Sequence, residues 1–418
     1  MELLRFITAG SVDDGKSTLI GRLLFDSGSV FADQLVAAQK ASGAGTPLDF
    51  SLITDGLSAE REQKITIDVA YRYFSTAKRT FILADVPGHE EYTRNMVTAA
   101  STANVAVLLV NPGEGLKPQS KRHLFLASLM GVSHVVVAVN KMDIYDYREE
   151  IFQKTVEEIA SFAAKLPLRD LQFIPVSALN GDNIVKRSSA MEWYTGSTLL
   201  GYLENVHIQS DRNLIDFRFP VQLVLRPDAD FRGYAGEIAS GTITKGEEVM
   251  ILPSGRKTKI KSLSVGREEV TQAFAPQAAV IRLEDERDVS RGDMIIRTQN
   301  VPEIGTEFEA MLFWMSREKL EVGQSFLIKH TTNTTRCFVT EILYAIDIGT
   351  LHRKNAKDLD MNDIGRVRIK TSVPLMFDSY QKNKATGSAV LIDEFTNATV
   401  GGCIITDEVK EVPTYVES

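Results

Sequence analysis

Through the first two hundred residues, short unbroken runs of apolar side chains alternate with longer stretches of helical period. The runs Phe6-Ile7-Thr8-Ala9, Thr80-Phe81-Ile82-Leu83-Ala84, 105–110, 135–139 and Phe173-Ile174-Pro175-Val176 predict strands buried on both faces. The stretches between them, 17–24, 92–103, 119–130 and 149–165, predict helices. Strands alternating with helices predict a mostly parallel sheet covered on both faces.

After about Asp211 the helical period stops. Short strands follow, punctuated by Thr244-Lys245-Gly246-Glu247, Pro253-Ser254-Gly255 and Arg291-Gly292-Asp293, a texture that predicts β-barrels or sandwiches. Pro302 to Gly305 reads as a joint between two such bodies, and 325–330, 336–344, 365–369 and 389–392 read as strands of the second. The predicted organisation is an α/β domain over 1–210, a β-domain over 211–301 and a second over 302–418.

The length of 418 residues agrees with nearly three domains at roughly 150 residues each. With 44% hydrophobic and 24% charged residues the chain is ordinary globular protein, which excludes disordered and collagen-like classes. A net charge of −8 argues against a broadly basic nucleic-acid binder and leaves room for a local basic patch. The two cysteines, Cys337 and Cys403, are expected to be reduced. Met1-Glu2-Leu3-Leu4-Arg5-Phe6 carries an acid too early for a signal peptide, and every apolar run falls short of the ~20 residues that span a bilayer. A cytoplasmic protein without a membrane partner is expected.

The first chemistry-bearing motif is Gly10-Ser11-Val12-Asp13-Asp14-Gly15-Lys16-Ser17-Thr18, a full match to G-x-x-x-x-G-K-[ST] between a predicted strand and a predicted helix. Backbone N–H groups of such a loop turn inward around phosphate oxygens. Lys16 reaches the β- and γ-phosphates, and the Ser17 hydroxyl can ligate Mg²⁺. Asp13 and Asp14 stand unexpectedly beside a polyanion. Either they form turn bonds and point away, or one helps hold a cation.

Asp85-Val86-Pro87-Gly88-His89 follows the run 81–84. A carboxylate at that strand end, here Asp85, can support the Mg²⁺ shell without ligating the ion directly. Gly88 can bring its N–H close to a γ-phosphate, and the His89 imidazole can orient an attacking water. Upstream, the charged stretch 55–68 reads as a solvated loop from composition. Its position allows a second reading, in which Thr66 reaches Mg²⁺ when a γ-phosphate is bound.

Asn140-Lys141-Met142-Asp143 closes the run 135–139. The Asp143 carboxylate can accept from the N1–H and exocyclic amine of guanine, a pattern that adenine reverses. Lys141 can lie over the base, Asn140 can tie this loop to the phosphate loop, and in Ser177-Ala178-Leu179 the Ala178 N–H can meet the guanine O6. These elements, in this order, specify GTP or GDP with Mg²⁺. His123, His134, His207, His330 and His352 lack metal-ligand spacing and read as ordinary core or surface residues. No G-x-S-x-G elbow is present.

The ordered motifs identify a P-loop GTPase, and with two β-domains behind it the chain resembles the translational GTPases. Elongation factors carry a His-Val-Asp-His-type loop where this chain has Ser11-Val12-Asp13-Asp14. That variant resembles the GTPase subunit of bacterial heterodimeric sulfate adenylyltransferase. The likeness continues in Ile65-Thr66-Ile67-Asp68-Val69-Ala70-Tyr71-Arg72-Tyr73, Pro87-Gly88-His89-Glu90-Glu91-Tyr92, Arg218-Phe219-Pro220-Val221-Gln222, Asp230-Phe231-Arg232-Gly233, Asn383-Lys384-Ala385-Thr386-Gly387 and Thr396-Asn397-Ala398-Thr399.

The resemblance implies an elongation-factor-like fold, an α/β P-loop GTPase domain followed by two β-barrels. It implies a smaller partner that binds ATP and sulfate and makes adenosine 5′-phosphosulfate and diphosphate, driven by GTP hydrolysis here, as the first step of sulfate assimilation. The segment from Tyr92 to Met96 and the β-domains would carry the γ-phosphate state to that partner, and no nucleic acid is expected. Some relatives add an adenylylsulfate kinase. This chain ends at Ser418 without a second phosphate loop, so that activity is not expected. Two departures stand out: Lys64 where the family has Gly, and Val86 where many relatives have Thr. Two rival readings are an elongation-factor-like carrier of aminoacyl-tRNA and a GTP-binding scaffold without turnover.

Overall fold

A computed structural model of the chain describes residues 2–42, 48–53, 68–89, 92–208, 213–228, 231–285 and 288–408. The chain divides into two compact units, Met1–Ser210 with Ile348–Leu351, and Asp211–Asp347 with His352–Ser418.

In the first unit β1 (Glu2–Gly10), α1 (Lys16–Asp26), α2 (Ala32–Ser42), β2 (Ala70–Ser75), β3 (Arg79–Asp85), α3 (Thr93–Thr102), β4 (Val105–Val110), α4 (Pro118–Leu129), β5 (His134–Val139), α5 (Glu149–Ala163), β6 (Asp170–Pro175) and α6 (Leu199–Asn205) follow one another. The sheet order is β2-β3-β1-β4-β5-β6. β1 pairs in parallel with both β3 and β4, and β4, β5 and β6 continue in parallel, as the doubly apolar runs predict. Every residue of β4 is buried, which requires cover on both faces. Leu19, Ile20 and Leu23 of α1 and Leu199, Leu200 and Leu203 of α6 pack in one core cluster with Leu4, Phe6, Val107 and Val136.

Among the described elements of this unit, β2, α2 and α6 lie outside the sequence reading. β2 pairs antiparallel to β3 at the sheet edge and leaves Tyr71 and Tyr73 exposed, so its alternation is too polar to read as a buried strand. α2 buries only Ala38, and α6 spans seven residues, too short for a period to declare itself.

The second unit is β-structured, as its turn signals predict. Residues 218–220, 294–297, 248–252, 256–265, 278–283, 233–237 and 223–225 pair in that order into one barrel-like sheet. Its inner face carries Phe217, Phe219, Tyr234, Val249, Ile260, Leu263 and Ile281. The second sheet runs 325–330, 388–392, 399–408, 303–314, 364–377 and 333–346, and the last of these pairs back with the first. These six strands therefore close into a barrel, and Arg353–Lys354 adds a short strand against the end of 333–346. Glu303-Ile304-Gly305, read as part of a joint, already belongs to this barrel: Glu303–Trp314 is one strand, with Glu303 opposite Phe377. Pro302 precedes a long strand rather than a linker.

Among the described residues no helix is long and apolar enough to cross a membrane. Cys337 and Cys403 are free, buried thiols, and burial pushes Cys337 up to about 12.

Candidate guanine-nucleotide site

Parallel strands β1, β3, β5 and β6 all end at the same edge of the sheet, and each is followed by one of the predicted motifs. Such an edge is where ligands of open α/β sheets bind. Residues 10–18, 85–89, 140–143 and 177–179 are thus brought together by topology rather than by sequence proximity.

The phosphate loop leaves β1 at Gly10 and enters α1 at Lys16. Gly15 is left-handed at φ 92, and a Cβ there would fall 2.4 Å from Asn140 Nδ2, so only glycine fits. No side chain caps the N-terminus of α1, leaving its first amides for an anion. Lys16 is buried, and its ammonium donates to the carbonyls of Gly10 (3.0 Å) and Ser11 (2.8 Å). Among the described residues no carboxylate lies at ion-pair distance from it. Burial lowers its pKa, opposed by the charges of Asp85 and Asp14. A buried cation held by carbonyls at the head of a helix suits a polyphosphate.

Two loop amides do not face that space. The Gly10 N–H donates to His123 Nδ1 (3.0 Å), and the Ser11 N–H donates to Asp14 Oδ2 (2.9 Å). Gly10 and Ser11, expected among the phosphate-cradling residues, therefore spend their N–H groups on holding the loop. Asp14 is buried, and its other oxygen accepts from Lys117 (3.3 Å). Burial raises its pKa, against the charge of Lys117. Asp14 makes turn bonds, the first of the two readings, whereas Asp13 sits exposed at φ 65.

Thr8 and Asp85 stand opposite each other across β1 and β3, and the Thr8 hydroxyl donates to Asp85 Oδ1 at 3.0 Å. Val86 and Pro87 are buried, so Val86 packs inward where a threonine hydroxyl would need a partner. A Cβ on Gly88 would lie 2.6 Å from Lys16 Nζ and 3.1 Å from the Gly10 carbonyl, which fixes how closely these two loops approach. His89 is half-buried and meets Tyr92 edge-on at 6.4 Å between ring centres. Thr66, expected at Mg²⁺ with Ser17, and Lys64 lie outside the described residues, as do Glu90, Glu91 and Asp230. Ser17 and Thr18, half-buried, lie in the first turn of α1, and Asp85 ends β3; hydroxyl and carboxylate oxygens of this kind suit a hard divalent cation.

On the base side, Asn140 donates from Nδ2 to the Asp14 carbonyl (2.8 Å), tying the loop after β5 to the phosphate loop as expected. The expectation for Ala178 changes. Its N–H donates to Asn140 Oδ1 at 2.9 Å, so this donor serves the loop rather than standing ready for guanine O6. Lys141 is left-handed at φ 65, and Asp143 stands half-buried in the 3-10 turn Met142–Tyr145. Met142 is fully buried core, and its N–H donates to the Val176 carbonyl. Ser177 is buried with its hydroxyl accepting from Asn180 N–H, while Leu179 is 58% exposed and its carbonyl accepts from Arg22.

Three further residues stand at the back of the phosphate loop: Lys117 and Ser120, which the sequence reading leaves out, and His123, which it takes as an ordinary core or surface histidine.

The chain matches the family described as "Elongation factor Tu GTP binding domain" over residues 1–216 and "GTP-eEF1A C-terminal domain-like" over 307–406. It is 54% identical over 412 residues to a bifunctional enzyme CysN/CysC of Rhodopirellula baltica, covering 97% of this chain and 64% of that protein. It is 52% identical to sulfate adenylyltransferase subunit 1 of Bacteroides fragilis, covering 98% of this chain and 87% of that one. The same subunit of Alteromonas mediterranea is 50% identical, at 98% and 88% coverage. Among solved structures, sup35 complexed with GMPPNP is similar over 98% of this chain and 95% of that one, at 23% identity and a TM-score of 0.46. This chain belongs to the sulfate adenylyltransferase subunit 1 family of elongation-factor-Tu-type GTP-binding proteins.

Proposed function

We propose that the chain is the GTP-hydrolysing subunit of a sulfate adenylyltransferase. GTP hydrolysis in its α/β domain drives the conversion of ATP and sulfate to adenosine 5′-phosphosulfate and diphosphate on a smaller partner subunit in the cytoplasm, without nucleic acid. The near full-length likeness to subunit 1 proteins carries this reading. A phosphoric–sulfuric anhydride is an unfavourable product, so coupling to a second hydrolysis pulls its formation forward.

In this account residues 12–18 cradle the phosphates, with the ammonium of Lys16 on the β- and γ-phosphates. Ser17 and Thr66 would hold Mg²⁺, with Asp85, oriented by Thr8, in support. Bound Mg²⁺ would neutralise charge developing between β- and γ-oxygens. The Gly88 N–H approaches the γ-phosphate, and His89 positions water from the same turn. Asp143 reads the N1–H and amine of guanine, Lys141 covers the base, and Asn140 locks Ala178 and Asp14 into one frame. Domain limits at 1–210, 211–301 and 302–418 assign nucleotide chemistry to the first and partner signalling to the β-domains.

GTP turnover by the chain with its partner tests the site. Lys16→Ala and Asp143→Asn should each abolish it at GTP concentrations that saturate the wild type. Unchanged turnover in either variant contradicts the assignment.

A further inference from the structure

The first half of α4 is polar and its second half, from Leu124, is largely apolar, and two polar side chains of the first half, Ser120 and His123, are nevertheless buried. Lys117 at its N-cap, Ser120 and His123 are spaced three apart, which places them on one face. Lys117 Nζ donates to Asp14 Oδ1 (3.3 Å) and to the Val12 carbonyl (3.4 Å), and it also pairs with Glu114. The Ser120 and Ser11 hydroxyls are hydrogen-bonded at 2.9 Å, with Ser120 fully buried. His123, also fully buried, accepts the Gly10 N–H. One helix face therefore holds loop positions 10, 11, 12 and 14.

The electrostatics give this face a purpose. Asp14 is 2% exposed and sits in a loop that reads as the seat of a polyphosphate. Its carboxylate organises the loop by accepting the Ser11 N–H, but its negative charge opposes an incoming anion. Lys117 is the cation at ion-pair distance from it. Ser11 and Asp14 are also the two positions at which this loop departs from a His-Val-Asp-His pattern, and the side chains that receive them, Ser120 and Lys117, come from the same helix.

Resting on the nucleotide reading above, we propose that Lys117, Ser120 and His123 are positioning residues for guanine-nucleotide binding, and that Lys117 in particular neutralises Asp14 so that this acidic loop accepts a polyphosphate. Lys117 acts through Asp14, not on the nucleotide.

The test is binding of fluorescent GDP to the full chain, with thermal melts of each nucleotide-free variant. Lys117→Met should weaken GDP binding at least tenfold in a chain that still melts cooperatively, since half-buried Lys117 holds the phosphate loop rather than the core. Lys117→Arg should stay within about threefold of wild type. Combining Lys117→Met with Asp14→Asn should recover most of the loss. His123→Ala should also weaken binding, and His123→Asn, which keeps an acceptor near the Nδ1 position, should recover it. Wild-type affinity in Lys117→Met overturns the proposal, as does a double variant no better than Lys117→Met alone. A wild-type chain that binds no GDP would instead overturn the nucleotide reading, and this inference with it.

Discussion

Asn140 and Ala178 are joined by a hydrogen bond of 2.9 Å, from the Ala178 N–H to the Asn140 side-chain oxygen. Because the same amide also donates to the Asp14 carbonyl, one side chain fixes the loop after β5, the loop after β6 and the phosphate loop relative to one another. Asn140→Ala leaves a buried carbonyl and a buried N–H without this partner, at about 1–3 kcal/mol each. The expected result is weaker binding of GDP and GTP alike, together with a lower melting temperature of the free chain. A variant that loses affinity for one nucleotide only would contradict this joint role.

Asp143→Asn tests base reading separately. An amide can donate where the carboxylate accepts, which suits a base with a carbonyl at C2 in place of the amine. Competition binding should show guanine nucleotides weakened by at least about a hundredfold and xanthine nucleotides strengthened. Stability should hardly change, because Asp143 is half-exposed. Retained preference for guanine would place base recognition elsewhere.

The second unit has its own buried ion pair. Arg218 Nε and Nη2 donate to the two oxygens of Asp378 at 2.8 and 2.9 Å, and both residues are almost fully buried. The Asn300 carbonyl accepts from Arg218, the Thr386 hydroxyl donates to Asp378, and Lys382 Nζ lies 3.4 Å from the Asp378 carboxylate. Burial alone would raise the Asp378 pKa, but the hydrogen bonds and charge of Arg218 hold it low. Removing Arg218 leaves the buried Asp378 carboxylate with only the half-exposed Lys382 and the Thr386 hydroxyl to compensate it. Arg218→Met should cost about 3–5 kcal/mol in urea unfolding. A loss under about 1 kcal/mol would mean that water reaches the pair.

His123 gives a pH dependence. Burial first, then the charges of Lys16 and Arg122, push its pKa down to about 3 from the usual 6.5. Above pH 6.5 the residue is neutral in both folded and unfolded chains and contributes no slope. As pH falls from 6.5 towards 3, the unfolded chain binds a proton that the folded chain refuses, so stability declines by up to about 1.4 kcal/mol per pH unit. Between pH 7.5 and 5.0, the wild type should therefore lose up to about 2 kcal/mol more than His123→Asn. Parallel losses in the two proteins would mean that His123 takes up its proton in the folded state.

Much of this was legible in the residues. The strands Val105–Val110 and His134–Val139 announce themselves because burial on both faces leaves no polar position, and the motif residues follow those strands directly. What the sequence hid depends on long-range contacts. Lys117, Ser120 and His123 matter because α4 lies behind β1, a proximity that no local pattern encodes. Likewise Arg218 could be quoted from the sequence as part of a likeness, but its partner stands 160 residues away. Ala178 reads as a base contact because its strand and loop are plain in the sequence, while the competing acceptor on Asn140 appears only once the loops are packed.

The central claim is that nucleotide chemistry in this chain drives a reaction on another. Its most direct test is diphosphate release from ATP and sulfate by the chain together with its smaller partner subunit, with and without GTP. The account predicts release that rises with GTP and falls back to the GTP-free level when the chain carries Lys16→Ala or Asp143→Asn. Release indifferent to GTP, from a complex whose large subunit still binds guanine nucleotide, would contradict it.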